Sequence, residues 1–131
     1  METHGASGAA VVRKADSLFA EGKAEALELF APDAQWHFPG TSPLAGDHAG
    51  REAIGAFLAK FAALSDSTYK ASVVDAAEGE DHVFVLHHSQ AQRNGKASDF
   101  TICQLITVRD GLITEAWTHP YDVRAIDEFW T

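Results

Sequence analysis

The sequence predicts an α+β domain in which a curved antiparallel sheet wraps on three N-terminal helices, in the order α-α-β-α-β-β-β-β, with a short helix at the C-terminus. The first observation is a change of period: apolar residues recur at helical spacing as far as Leu64 and then alternate every second residue from Thr68 onward. The second is a pair of dipeptides, Asn94-Gly95 and Asp110-Gly111, placed between strand-like runs. Both populate the positive-φ turns of tight hairpins, so the runs they separate are antiparallel neighbours. The third is size: 131 residues, 46% of them apolar, support one hydrophobic core and leave no room for a second. Residues 1–131 are therefore read as a single domain, with 1–8 as a loose N-terminal arm.

Each element has its own warrant. From Ala9 to Ala20, Val12, Ala15, Leu18 and Phe19 form a helical stripe that Glu21-Gly22 ends. Ala24–Phe30 repeats the spacing over two turns, and Pro32 forbids continuation. Ala34–Phe38 is a short strand closed by Pro39-Gly40, and the Gly-, Pro- and Ser-rich residues 40–50 read as a loop, a candidate lid. Between Arg51 and Leu64, Ile54, Phe57, Leu58 and Phe61 give the i, i+3, i+4, i+7 stripe of an amphipathic helix. Four strands follow at Thr68–Ala77, His82–Arg93, Lys96–Arg109 and Leu112–His119, and Asp122–Trp130 is a last helix.

Composition excludes several function classes. A net charge of −9 without a run of Lys or Arg argues against nucleic acid and against an anionic membrane surface, and favours an uncharged or apolar ligand. No apolar stretch approaches the ~20 residues of a membrane span. The start, Met-Glu-Thr-His-Gly, has no basic or apolar leader, and the lone Cys103 cannot form an internal disulfide. A cytoplasmic setting is expected, with Cys103 packed as a small buried hydrophobe. Seven histidines and three tryptophans stand out, because several fall in apolar segments, where an imidazole needs a partner or a purpose.

The segments Leu29–Gly40, Ser42-Pro43-Leu44-Ala45-Gly46-Asp47, Gly50–Ile54, Val108–Ile113 and Trp117-Thr118-His119-Pro120 resemble the SnoaL-like branch of the nuclear transport factor 2 superfamily. Polyketide cyclases, ketosteroid isomerases and limonene epoxide hydrolases are relatives within it. The resemblance implies a cone-shaped fold with an apolar pocket and a homodimer formed through the sheet. It does not bring the isomerase chemistry. The position of the isomerase's general base is Phe38, that of its oxyanion-hole Tyr falls near Lys14 or Ala15, and that of its oxyanion-hole acid near Gln104. A phenyl ring cannot abstract a proton. The Asp-Arg-Asp set of the epoxide hydrolases and the acid/base Asp of the cyclases have no clear counterpart either.

Aligning the strands on their turns predicts the pocket lining. Val85, His87, Ser89 and Ala91 share one face, as do Phe100, Ile102, Gln104, Ile106 and Val108, and then Ile113, Glu115, Trp117 and His119. Trp36, Phe38, Phe57 and Phe61 close the cavity as substrate-binding residues, together with Ser89 and Trp117. His119, His87, Glu115 and Gln104 are the candidate catalytic groups. Either histidine could take an acidic C–H proton while Gln104 donates to an oxyanion, which suits cyclisation or isomerisation of a hydrophobic, carbonyl-bearing metabolite. The competing readings are a structural hydrogen bond for His119 and a satisfied core residue for His87. His37, His88 and Asp99 are assigned to the outer face. Two alternatives remain open: a non-catalytic binder of hydrophobic ligands, and a metal-assisted enzyme using His87, Glu115 and His119, although no metal-spacing motif such as His-x₃-His is present. No cofactor is expected.

Overall fold

The computed structural model describes residues 7–131. Helix α1 (Gly8–Ala20) begins where Ser7 accepts a hydrogen bond from the Ala10 amide, so the end of the predicted arm is a helix cap. The rest of that arm lies outside the described residues. Ala24–Leu29 forms a 3₁₀ turn rather than an α-helix and runs directly into β1 (Phe30–Phe38), which is longer than predicted. Pro32 lies in the stretch where β1 breaks register with its neighbour, between Phe30 and Gln35.

The predicted loop 40–50 contains a short strand, β2 (Gly46–Ala49), paired antiparallel with the end of β1. Next come α2 (Arg51–Leu64), β3 (Lys70–Glu78), β4 (His82–Arg93), β5 (Lys96–Arg109), β6 (Leu112–Pro120) and α3 (Val123–Trp130). Both hairpin turns adopt the geometry their sequences imply. Asn94 and Gly95 have φ of 51° and 74°, and Asp110 and Gly111 have 54° and 79°.

The six strands form one sheet in the order β2-β1-β6-β5-β4-β3, antiparallel except where β1 pairs with β6. Two bulges shape it. One leaves Val74 unpaired in the edge strand β3, and the other leaves Thr114 unpaired in β6. One side of the sheet is covered by α1, α2 and α3. Val11, Val12 and Ala15 of α1 pack with Phe30, Ile54, Val83, Val85 and Ile106 in a first core. A second, aromatic core joins Phe38, Phe57 and Phe61 to Ile126, Phe129 and Trp130.

Arg93 ties the end of this second core together. Its guanidinium donates to the Leu64 carbonyl at 3.1 Å and to those of Phe129 and Thr131 at 3.1 and 2.9 Å, where helix ends leave carbonyls without intrahelical partners. At the start of the loop, Gly40 has φ of 101° and lies so near Asp127 that an added Cβ would clash with its carboxylate. That approach lets Asp127 accept hydrogen bonds from the Thr41 and Ser42 amides at 2.9 and 3.0 Å. Among the described residues, no helix is long and apolar enough to cross a membrane.

Candidate functional site

The curvature of the sheet leaves a cavity of about 770 Å³ between its inner face and the helices, within the usual size range of small-molecule sites. Of the residues predicted to bind substrate, Trp36, Phe38, Phe57, Phe61 and Ser89 line it, and so do His87 and Gln104 of the candidate catalytic set. The apolar wall is largely aromatic. The Phe57 ring lies 5.3 Å from Phe61, 5.5 Å from Trp36 and 5.6 Å from Phe38, and His48 of β2 stacks on it at 4.2 Å. The candidate lid is therefore anchored to the cavity wall, and the His48 ring is further fixed by a 2.9 Å hydrogen bond between Nε2 and the Leu44 carbonyl.

Polar groups converge on one part of this lining. His87 Nε2 lies 3.4 Å from Asp16 Oδ1, with the two side chains only 12% and 26% exposed. Tyr69 and Ser89 also line the cavity. Burial, aided by the negative charge of Asp16, pushes the Tyr69 hydroxyl well above the ordinary phenol range, against an opposing hydrogen bond with Ser89. Tyr69 is thus a neutral O–H donor near neutral pH, and its ring is held 4.6 Å from that of Phe61. On β6, the Thr118 hydroxyl accepts a 2.9 Å hydrogen bond from Trp36 Nε1.

The strand β6 departs from the predicted arrangement. The pairing runs from Thr107 opposite Glu115 to Val108 opposite Ile113, so Thr114 is an extra residue, and every side chain beyond it changes face. Ala116 and Thr118 enter the cavity, while Glu115, Trp117 and His119 turn to the outer side. His119 is exposed beside Cys103, which is itself exposed rather than buried. His119 and Glu115 are therefore removed from the candidate catalytic set, and Trp117 from the substrate-binding set.

The proposed metal set fails for the same reason, since His87 is on the inner face and its two partners are on the outer. Among the described residues, no group of three His, Cys, Asp or Glu side chains is arranged to hold a metal ion. Glu115 instead joins an outer-face cluster, where His37 is held between Asp47 Oδ1 at 2.7 Å and Glu115 Oε2 at 2.5 Å and stacks on Trp117. These hydrogen bonds, that to Asp47 foremost, raise the His37 pKa despite the opposing effect of burial. His88 is likewise on the outer face, 2.7 Å from Asp99, and this contact lowers the Asp99 pKa.

Residues 11–116 match the family model of the SnoaL-like domain. This chain belongs to the SnoaL-like family. An uncharacterised protein of Mycobacterium tuberculosis (strain ATCC 25618 / H37Rv) is 34% identical over 122 residues, 92% of this chain and 93% of that protein. Bal32a, from a soil-derived mobile gene cassette, has a solved structure that is 37% identical and superposes with a TM-score of 0.89 over 94% of this chain and 95% of its own. The structure of TerC co-crystallised with polyporic acid shares the fold at 22% identity, with a TM-score of 0.81 over 92% of this chain and 95% of that one.

In this SnoaL-like chain the cavity carboxylate comes from Asp16 of α1, outside the predicted pocket lining. The signal was present. Asp16 follows Ala15 and lies four residues after Val12 and three before Phe19, so it is an acid set within an apolar stripe. Tyr69, immediately before β3, continues the two-residue alternation of Ala71 and Val73 into the cavity lining, and that alternation marks it in the sequence. Thr118 was hidden by the bulge.

Proposed function

We propose that this SnoaL-like protein is an enzyme that moves a proton at a carbon next to a carbonyl in a hydrophobic metabolite, in a cyclisation or isomerisation. The family resemblance adds polyketides and terpenoids as the substrate class. One observation carries the reading: Asp16 and His87 stand 3.4 Å apart within a largely apolar cavity. In the tautomer protonated at Nε2, the nitrogen beside Asp16, the imidazole would keep a lone pair on Nδ1, and the nearby carboxylate would stabilise the imidazolium formed when that nitrogen takes a proton. His87 would accept the α-proton and return it at the new position. The Tyr69 hydroxyl would donate to the oxygen that gains negative charge. The apolar lining supplied by Trp36, Phe57 and Phe61 would lower the local dielectric and strengthen each of these interactions.

The test is hydrogen exchange in D2O with a panel of cyclic ketones such as 1-tetralone and cyclohexenones, following loss of the α-proton NMR signals. The wild type is expected to accelerate exchange, with His87→Gln lowering the rate about 100-fold or more and Asp16→Asn less, in proteins whose circular dichroism is unchanged. Ligand binding by calorimetry without exchange anywhere in the panel would instead support the non-catalytic binding protein.

We further propose a homodimer through the outer sheet face, supported by the exposure of Val74, Phe84 and Leu86 there. Sedimentation velocity should show a dimer that Phe84→Glu converts to a monomer. A monomeric wild type at tens of micromolar would refute it.

A further inference from the structure

Gln104 is 9% exposed at the centre of the sheet and borders the cavity, yet among the described residues its carboxamide makes no hydrogen bond to another protein group. Native proteins rarely leave a buried amide in this state unless something else meets it. Its cross-strand neighbour on β6 is Thr118, which is 4% exposed. Thr118 uses its oxygen to accept from Trp36 Nε1, so its own O–H is free to donate. On the other side Gln104 faces Val85, two residues from His87 on the same face, which places Gln104 one diagonal step from His87 on the sheet, about 7–8 Å between backbone positions.

We propose that Gln104 and Thr118 form a second polar subsite, and that the ligand of this cavity carries two oxygen functions on one apolar framework. One oxygen meets the His87 end, and the other is held by the Gln104 amide and the Thr118 hydroxyl. This rests on the reading of the cavity as the small-molecule site and deepens it. Gln104 is then a specificity residue that rejects ligands with a single oxygen, because such ligands leave the amide buried and unpaired.

The experiment compares two probes of one framework, 1-naphthol and 1,3-dihydroxynaphthalene, by titration calorimetry on the full chain. The wild type should bind the dihydroxy probe about tenfold more tightly. Gln104→Leu, of similar volume, should bring that ratio close to one, with 1-naphthol binding more tightly than to the wild type because no amide is left unpaired beside it. A wild-type ratio below threefold, binding of neither probe at millimolar concentration, or a ratio that survives in Gln104→Leu each overturns the proposal. Should that variant fail to fold, Thr118→Val takes its place. It must lower the ratio at least threefold, and an unchanged ratio overturns the subsite. The exchange assay separates the two readings. A Gln104-dependent ratio without any α-proton exchange removes catalysis and keeps the subsite, whereas exchange without the ratio does the reverse.

Discussion

Replacing His37 with Gln should reduce stability at pH 5.5 and have little effect at pH 9. The imidazole bonds two carboxylates at 2.7 and 2.5 Å, and its pKa is raised by those bonds. A group whose folded pKa exceeds its unfolded value contributes stability that is fully present below the unfolded value, about 6.5, and is lost as the pH rises through the folded one. Hydrogen bonds to charged groups contribute about 1.5–3 kcal/mol each when well buried. Here the Asp47 side chain is 77% exposed and that of Glu115 34%, so solvent screening moves both contacts toward the ~0.2–1 kcal/mol of exposed pairs. A combined contribution of about 1 kcal/mol corresponds to a Tm change of about 2–6 °C for a domain of this length. Thermal unfolding followed by circular dichroism from pH 5.5 to 9 measures it, starting above the range in which carboxylates protonate. The gap between wild type and His37→Gln should close as the pH rises. A gap that stays constant, or widens toward alkaline pH, would show that the cluster is held by packing on Trp117 rather than by charge.

Phe57 is 2% exposed, with four ring neighbours within 5.6 Å, so Phe57→Ala should cost about 3–5 kcal/mol and Phe57→Leu about 1 kcal/mol by urea denaturation. Equal effects of the two would mean that the cavity wall collapses to fill the space. Asp127→Ala leaves the Thr41 and Ser42 amides without their acceptor and should lower stability by about 1–2 kcal/mol, with faster amide exchange at residues 41 and 42. Protection unchanged at those two amides would contradict the role given to the carboxylate.

Most of the fold was legible because its strongest signals were local. The boundaries of α2, β4 and β5 coincide with those read from the sequence, since an uninterrupted apolar stripe and two positive-φ dipeptides mark them. The strand β2 was missed because Gly46-Asp47-His48-Ala49 is too short and too polar to show alternation. The site was half legible. Alternation placed His87, Ser89 and Gln104 on one face correctly, but it assumes an unbroken register, and Thr114 is an ordinary strand residue that gives no hint of a bulge. One unpaired residue was enough to exchange His119 and Trp117 for Thr118. Asp16 is legible as a charge set within the apolar stripe of α1, but apolar periodicity alone does not register it.

The parallel pairing of β1 with β6 also bears on the order in which the chain can fold. Trp36 and Thr118, joined by a hydrogen bond across this part of the sheet, are 82 residues apart in sequence. Until the last strand has left the ribosome, β1 has only the four-residue β2 beside it, and α1, α2 and their aromatic residues have no completed sheet to cover. The β3–β5 meander can form by short-range hairpin closure, but enclosing the cavity waits on the most distant contact in the sheet. Such contacts slow folding and leave apolar surface exposed meanwhile.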